Sequence, residues 1–161
     1  MITTRRLSLP DPDATDTLAR AVAAHLRPGD CLLLDGPVGA GKTAFARAAI
    51  HACLVRAGRP PEDVPSPTFT LVQTYDAGRF EIWHADLYRL TDPSDVLELG
   101  LDEAFQVAVC LIEWPDRLGG DVPKAALRLE FRITDPGRTL TITGPQDHVA
   151  RLLPATTESP T

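Results

Sequence analysis

Two stretches of the chain are apolar on both parities, CLLLD at 31–35 and VAVCLIE at 107–113. Short continuous runs bounded by turn residues predict strands buried on both faces of a parallel sheet. ALRLEFRI and TLTITG alternate instead, and they flank Asp135-Pro136-Gly137, which predicts a hairpin with one face on the core. TFTLVQTY and RFEIWHADLY, around Asp76-Ala77-Gly78, predict a second pair of strands. TRRLSLP reads as a short edge strand. Elsewhere the period lengthens. DPDATDTLARAVAAHLRPGD begins in aspartates, sets Leu18, Val22 and Leu26 on one face and stops at Pro28-Gly29, so it predicts a helix. KTAFARAAIHACLVRAG is alanine-rich and ends at Gly58, a second helix. DPSDVLELGLDEAF predicts one or two short helices and QDHVARLL a final one. The succession predicts an α/β fold with a central, mostly parallel sheet, antiparallel additions and flanking helices. We expect a single domain over 1–153 and a disordered tail, PATTESPT, over 154–161.

Directly after CLLLD comes GPVGAGKT. It satisfies G-x-x-x-x-G-K-[ST] with Gly36, Gly41, Lys42 and Thr43, and Gly39 adds a further glycine. Glycines let backbone N–H groups turn inward around phosphate oxygens, and the following helix points its positive end at the same anion. Lys42 would bridge the terminal phosphates and the Thr43 hydroxyl would ligate Mg²⁺. Strand, loop and helix follow in the order the motif requires. The chain has no asparagine, so it lacks the N-K-x-D motif that reads guanine. ATP is the expected nucleotide by elimination.

Phosphoryl transfer also needs a carboxylate beside the metal and a group that orients water. Glu113 ends VAVCLIE, and Asp86 ends the apolar part of RFEIWHAD. A parallel strand beside CLLLD would bring Glu113 to the edge that carries the glycine loop. Glu113 is therefore expected to complete the Mg²⁺ shell and Asp86 to position or deprotonate water, although spacing alone does not say which does which. His84 shares the parity of Asp86. It reads as a supporting or packing histidine, with an H-x-D metal pair as the alternative. His25, His51 and His148 fall on predicted helices and read as surface or structural.

Composition narrows the partners. The net charge is −6 and only Lys42 and Lys124 are lysines. Such a chain is not expected to grip nucleic acid by itself, because phosphate neutralisation needs a basic surface. No apolar run reaches the ~18 residues of a membrane helix, and no apolar segment follows the arginines of MITTRRLSLPDPD to make a secretory signal. The three cysteines, Cys31, Cys53 and Cys110, are expected to be reduced and structural, in the cytoplasm.

Four segments taken together, GPVGAGKT, SPTFTLV, HADLYRL and LIEWP, resemble the TsaE (YjeE) family of bacterial ATPases, over about Leu7 to Gly144. The glycine loop is shared by many families, whereas S-P-T-[FY]-T-L, H-x-D-L-Y-R and E-W-P in combination are far more specific. The resemblance implies a compact single-domain P-loop NTPase fold and a role in making threonylcarbamoyladenosine in tRNA. It implies ATP at Gly39, Ala40, Gly41, Lys42, Thr43 and Ala44, with Mg²⁺ on Thr43 and Glu113. Asp86 would be needed for hydrolysis, Thr68 would lie in a switch-like loop near the γ-phosphate, and Trp114 would sit beside the site. Arg138 matches a family arginine near the adenine, with Pro10 to Thr15 approaching the base from the other side. This chain carries Pro12 where relatives can carry an acidic residue. The implied partners are TsaB and TsaD, with tRNA reached only through them and neither DNA nor a membrane engaged. Hydrolysis is expected to be weak alone and to reset the partner complex between turnovers. Two rivals remain on the same scaffold: a small-molecule kinase, and a binding module that never hydrolyses its nucleotide. A kinase would usually carry a basic lid, for which Arg56 and Arg59 are the nearest pair.

Overall fold

Leu32 and Leu34 pack into one apolar cluster and Cys31 and Leu33 into another, on opposite faces of one sheet. This is why CLLLD has no polar position before Asp35. The computed structural model describes residues 1–60, 62–92 and 94–153, so the expected tail at 154–161 lies outside the described residues. The elements follow in order as β1 (Ile2–Leu9), α1 (Pro12–Ala23), β2 (Cys31–Asp35), α2 (Lys42–Arg56), β3 (Val72–Asp76), β4 (Glu81–Asp86), α3 (Asp95–Leu99), α4 (Leu101–Val107), β5 (Val109–Glu113), β6 (Leu127–Ile133), β7 (Arg138–Pro145) and α5 (Gln146–Leu152). A 3₁₀ turn at Pro115–Leu118 follows β5. The sheet has seven strands in the order β1-β7-β6-β2-β5-β4-β3. Its centre, β6-β2-β5-β4, is parallel, and β1, β7 and β3 pair antiparallel at the two sides. The expected architecture is the one observed.

α1, α2 and α5 cover the face that holds Leu32, Leu34, Leu111 and Leu129. α3, α4 and the 3₁₀ turn cover the face that holds Leu33, Ala85, Cys110 and Ile112. All of β5 is buried, and each aliphatic side chain so removed from water contributes about 1.5–3 kcal/mol. Cys31, Cys53 and Cys110 are free and buried. Burial pushes the Cys110 thiol up to about 12 and the Cys53 thiol to about 11, which leaves both unreactive. Among the described residues no helix is long and apolar enough to cross a membrane.

Three boundaries differ from the sequence reading. α1 ends at Ala23, although Leu26 still reaches the core from the turn beyond, and His25 lies in that turn. β5 begins at Val109, because Val107 closes α4 and is exposed. The Ala108 carbonyl accepts the Gly29 N–H at 2.8 Å and the Cys110 N–H donates to the Asp30 carbonyl at 3.0 Å, so pairing with the chain before β2 begins only after the helix has ended. β3 begins at Val72 and not within TFT. Those residues form a turn closed by the Leu71 N–H on the Pro67 carbonyl at 2.7 Å, with Leu71 at φ 68°. Their strand propensity yields to a hydroxyl contact described below.

Candidate active site

The chain leaves β2 toward the α2 face and leaves β5 toward the other, so a crevice opens between the carboxyl ends of these neighbours. Open α/β sheets bind ligands at such a point. Asp35, the last residue of β2, fixes how the loop departs. Its Oδ1 accepts the Gly36 N–H at 2.9 Å and its Oδ2 accepts from Arg128 on β6 at 2.8 Å. Gly36 then runs at φ 140° against β6, where a Cβ would stand 2.5 Å from the Phe131 carbonyl oxygen. No side chain tolerates that approach. Gly41 caps α2 without any side-chain hydrogen bond, so the first N–H groups of the helix face the loop. Ala40 is buried beneath it.

Lys42 folds back over the loop. Its Nζ donates to the Gly36 carbonyl and lies 3.6 Å from the Trp114 ring centroid. Burial holds its pKa below the ordinary lysine value, against the pull of Glu113, Asp35, Asp86 and Asp116. Trp114 reaches this place because its φ of 59° turns the chain sharply after β5, and the Tyr88 ring packs on it at 4.9 Å.

Parallel pairing puts the two carboxylates side by side, with Asp86 of β4 opposite Glu113 of β5. Glu113 is 2% exposed. The Thr43 hydroxyl donates to its Oε1 and His84 Nε2 donates to its Oε2, both at 2.7 Å. Asp86 is 5% exposed. Its Oδ1 accepts the Tyr88 N–H at 3.0 Å, and its Oδ2 accepts from Thr68 at 3.3 Å. Ser66 extends this chain of hydroxyls, 2.8 Å from Thr68.

Gly39, Gly41, Lys42, Thr43, Ala44, Thr68, Asp86 and Glu113 thus line one cleft of about 520 Å³, with Trp114 and Tyr88. Gly36 and Ala40 shape the loop from below. Arg138 borders a neighbouring cleft of about 410 Å³ that includes Pro10, Asp11, Pro12 and Thr15 and shares Gly39, Gly41 and Ala44 with the first. Its Nη2 donates to the Gly39 carbonyl at 3.1 Å. Sequence reasoning missed the grip of Asp35 on the loop, the Lys42–Trp114 contact and the attachment of His84 to Glu113. Parity put His84 on the face of Asp86, and only the β4–β5 pairing adds that Glu113 shares it. Among the described residues no three His, Cys, Asp or Glu side chains form a metal cluster, and the His84 ring is hydrogen-bonded to Glu113.

The family described as "Threonylcarbamoyl adenosine biosynthesis protein TsaE" matches residues 9–140. A TsaE from Rickettsia felis is 37% identical over 135 residues, 83% of this chain and 76% of its own. The Bacillus subtilis TsaE is 36% identical over 135 residues, 83% of this chain and 81% of its own. A crystal structure of Bacillus subtilis YdiB superimposes with a TM-score of 0.74 at 29% identity, covering 94% of this chain and 93% of the other.

Proposed function

The chain belongs to the TsaE family of threonylcarbamoyladenosine biosynthesis proteins, and from this premise we propose that it is a Mg²⁺-dependent ATPase that resets a TsaB–TsaD complex between rounds of tRNA modification. The observation that supports the reading most is the 2.7 Å bond from Thr43 to Glu113, which joins the loop's hydroxyl to the carboxylate of the neighbouring parallel strand. Backbone N–H groups of the loop and the start of α2 bind the phosphates, and Lys42 turns from the Gly36 carbonyl to the terminal ones. The base lies in the second cleft, between Arg138 and the Pro10 to Thr15 segment.

The donors fit Mg²⁺, a hard cation that takes oxygen ligands and keeps most of its water. Thr43 and Glu113 would hold it, with nucleotide oxygens completing the set. When bound, it neutralises charge on the phosphates and so lowers the barrier to their transfer. Asp86, beside Glu113 in the β4–β5 pairing, orients the attacking water and draws on its proton. Thr68 approaches from the other wall and completes the shell around the terminal phosphate.

The acidic surface suits a subunit that docks on proteins and meets tRNA only through them. Its place is the cytoplasm. The test is ATP hydrolysis by the purified protein, alone and with the cognate TsaB–TsaD pair, in parallel with threonylcarbamoylation of tRNA. Stimulation by the pair is the expected result. Equal rates with and without it contradict the reset role, and transfer of phosphate to a small acceptor would make the chain a kinase.

A further inference from the structure

His84 is completely buried, on β4 two residues before Asp86. It is not among the residues that line the cleft. Its one polar contact is the 2.7 Å bond from Nε2 to Glu113 Oε2, and Nδ1 has no hydrogen-bond partner among the described residues. The carboxylate oxygen accepts, so Nε2 is the donor. A donor fixed at this place orients the carboxylate. On the cleft side the Thr43 hydroxyl takes the other oxygen at the same distance. Glu113 is therefore held at both oxygens, one from beneath and one from the ligand side.

We propose that His84 is a positioning residue, which fixes the Glu113 carboxylate so that Oε1 alone faces Thr43 and the cation. The inference rests on the nucleotide reading above. A carboxylate with one oxygen unheld turns about its last bond and swings Oε1 away from Thr43. The cation would then meet a ligand that must be reoriented each time it binds. Hydrogen-bond partners behind a metal ligand typically change metal affinity or activity about 10- to 100-fold when removed.

Two substitutions of similar polarity separate positioning from burial. The amide of His84→Gln reaches about as far as Nε2, whereas that of His84→Asn stops near Nδ1. The quantity to measure is the Mg²⁺ concentration at half-maximal tightening of a fluorescent ATP analogue, with the metal-free affinity beside it and thermal melting as the check on folding. For His84→Asn we expect the Mg²⁺ requirement to rise about tenfold or more, with metal-free nucleotide affinity unchanged. His84→Gln should restore most of the difference. In a Glu113→Ala background, either substitution should change the Mg²⁺ requirement no further, since the two residues act as a unit. Equal Mg²⁺ requirements for Asn, Gln and wild type overturn the inference while leaving the nucleotide reading intact. A wild type whose nucleotide binding ignores Mg²⁺ overturns both. Should His84→Asn not fold, His84→Gln decides, because a Gln variant as defective as expected for Asn also overturns it.

Discussion

The two walls of the cleft are built in opposite ways. The Gly36 to Thr43 wall hangs between a strand and a helix that are both packed into the core. Ala40, Phe45 and Ala46 are fully buried, and the Phe45 ring meets Phe131 edge-on at 5.8 Å. The Ser66 to Leu71 wall puts less into the core, with Pro67 buried and Leu71 packed against the second apolar cluster. It is tied to Asp86 by the Thr68 hydroxyl and by the Asp86 N–H on the Leu71 carbonyl at 2.9 Å, while Phe69 stands 84% exposed. One wall is held by packing, which is dense and resists displacement. The other leans more on a few hydrogen bonds, each worth about 0.5–1.5 kcal/mol net. A site so divided holds its glycine loop more firmly than the segment that faces it.

The largest expected effect is on the packed wall. Phe45→Ala should lower unfolding stability by about 3–5 kcal/mol in a urea titration. A loss below about 1 kcal/mol would mean that the loop does not depend on the core beneath it.

Lys42→Met comes next. Nucleotide affinity should fall roughly 100-fold or more by calorimetry, since phosphate loses its buried cationic partner. Stability of the nucleotide-free protein should not fall with it. Burial lowers the folded-state pKa of Lys42, so the charged form disfavours the empty fold at neutral pH. That penalty is present below the lowered pKa and fades as pH rises through it toward the ordinary lysine value of about 10.4. Nucleotide-free wild type should therefore gain stability relative to Lys42→Met on going alkaline. A gap that widens against the wild type would contradict the sign.

On the hydrogen-bonded wall the effects shrink. Thr68→Ala removes one 3.3 Å contact and should slow hydrolysis by about tenfold, with nucleotide affinity kept within about threefold. A change in affinity alone would make Thr68 a binding residue. Phe69→Ala should alter stability by less than about 0.5 kcal/mol, and a larger loss would show that this wall has a hidden core.

The same division decides what the sequence could disclose. CLLLD announced β2 because burial on both faces forbids polar residues, and GPVGAGKT announced the loop because its backbone conformation demands glycine. Glu113 was legible from the apolar run it ends. Thr68 was legible only through the SPTF motif and its family resemblance, and the true start of β3 was not, because the TFT turn leaves no periodicity to read. His84 illustrates the middle case. Its parity was visible, but its partner lies 29 residues away on a strand whose register only the folded sheet provides. Trp114 likewise reaches Lys42 through a positive φ that a non-glycine residue does not advertise.

The central claim is that hydrolysis across these two walls, and not nucleotide binding alone, drives repeated tRNA modification. Asp86→Asn tests it most directly, by counting turnovers of threonylcarbamoylation with the cognate TsaB–TsaD pair. The account expects this variant to bind ATP within a few-fold of wild type, to hydrolyse it about 10²- to 10⁴-fold more slowly, and to stall modification after the first turnovers. Sustained modification by an Asp86→Asn protein that no longer hydrolyses ATP would contradict it and leave a nucleotide-dependent binding module in its place.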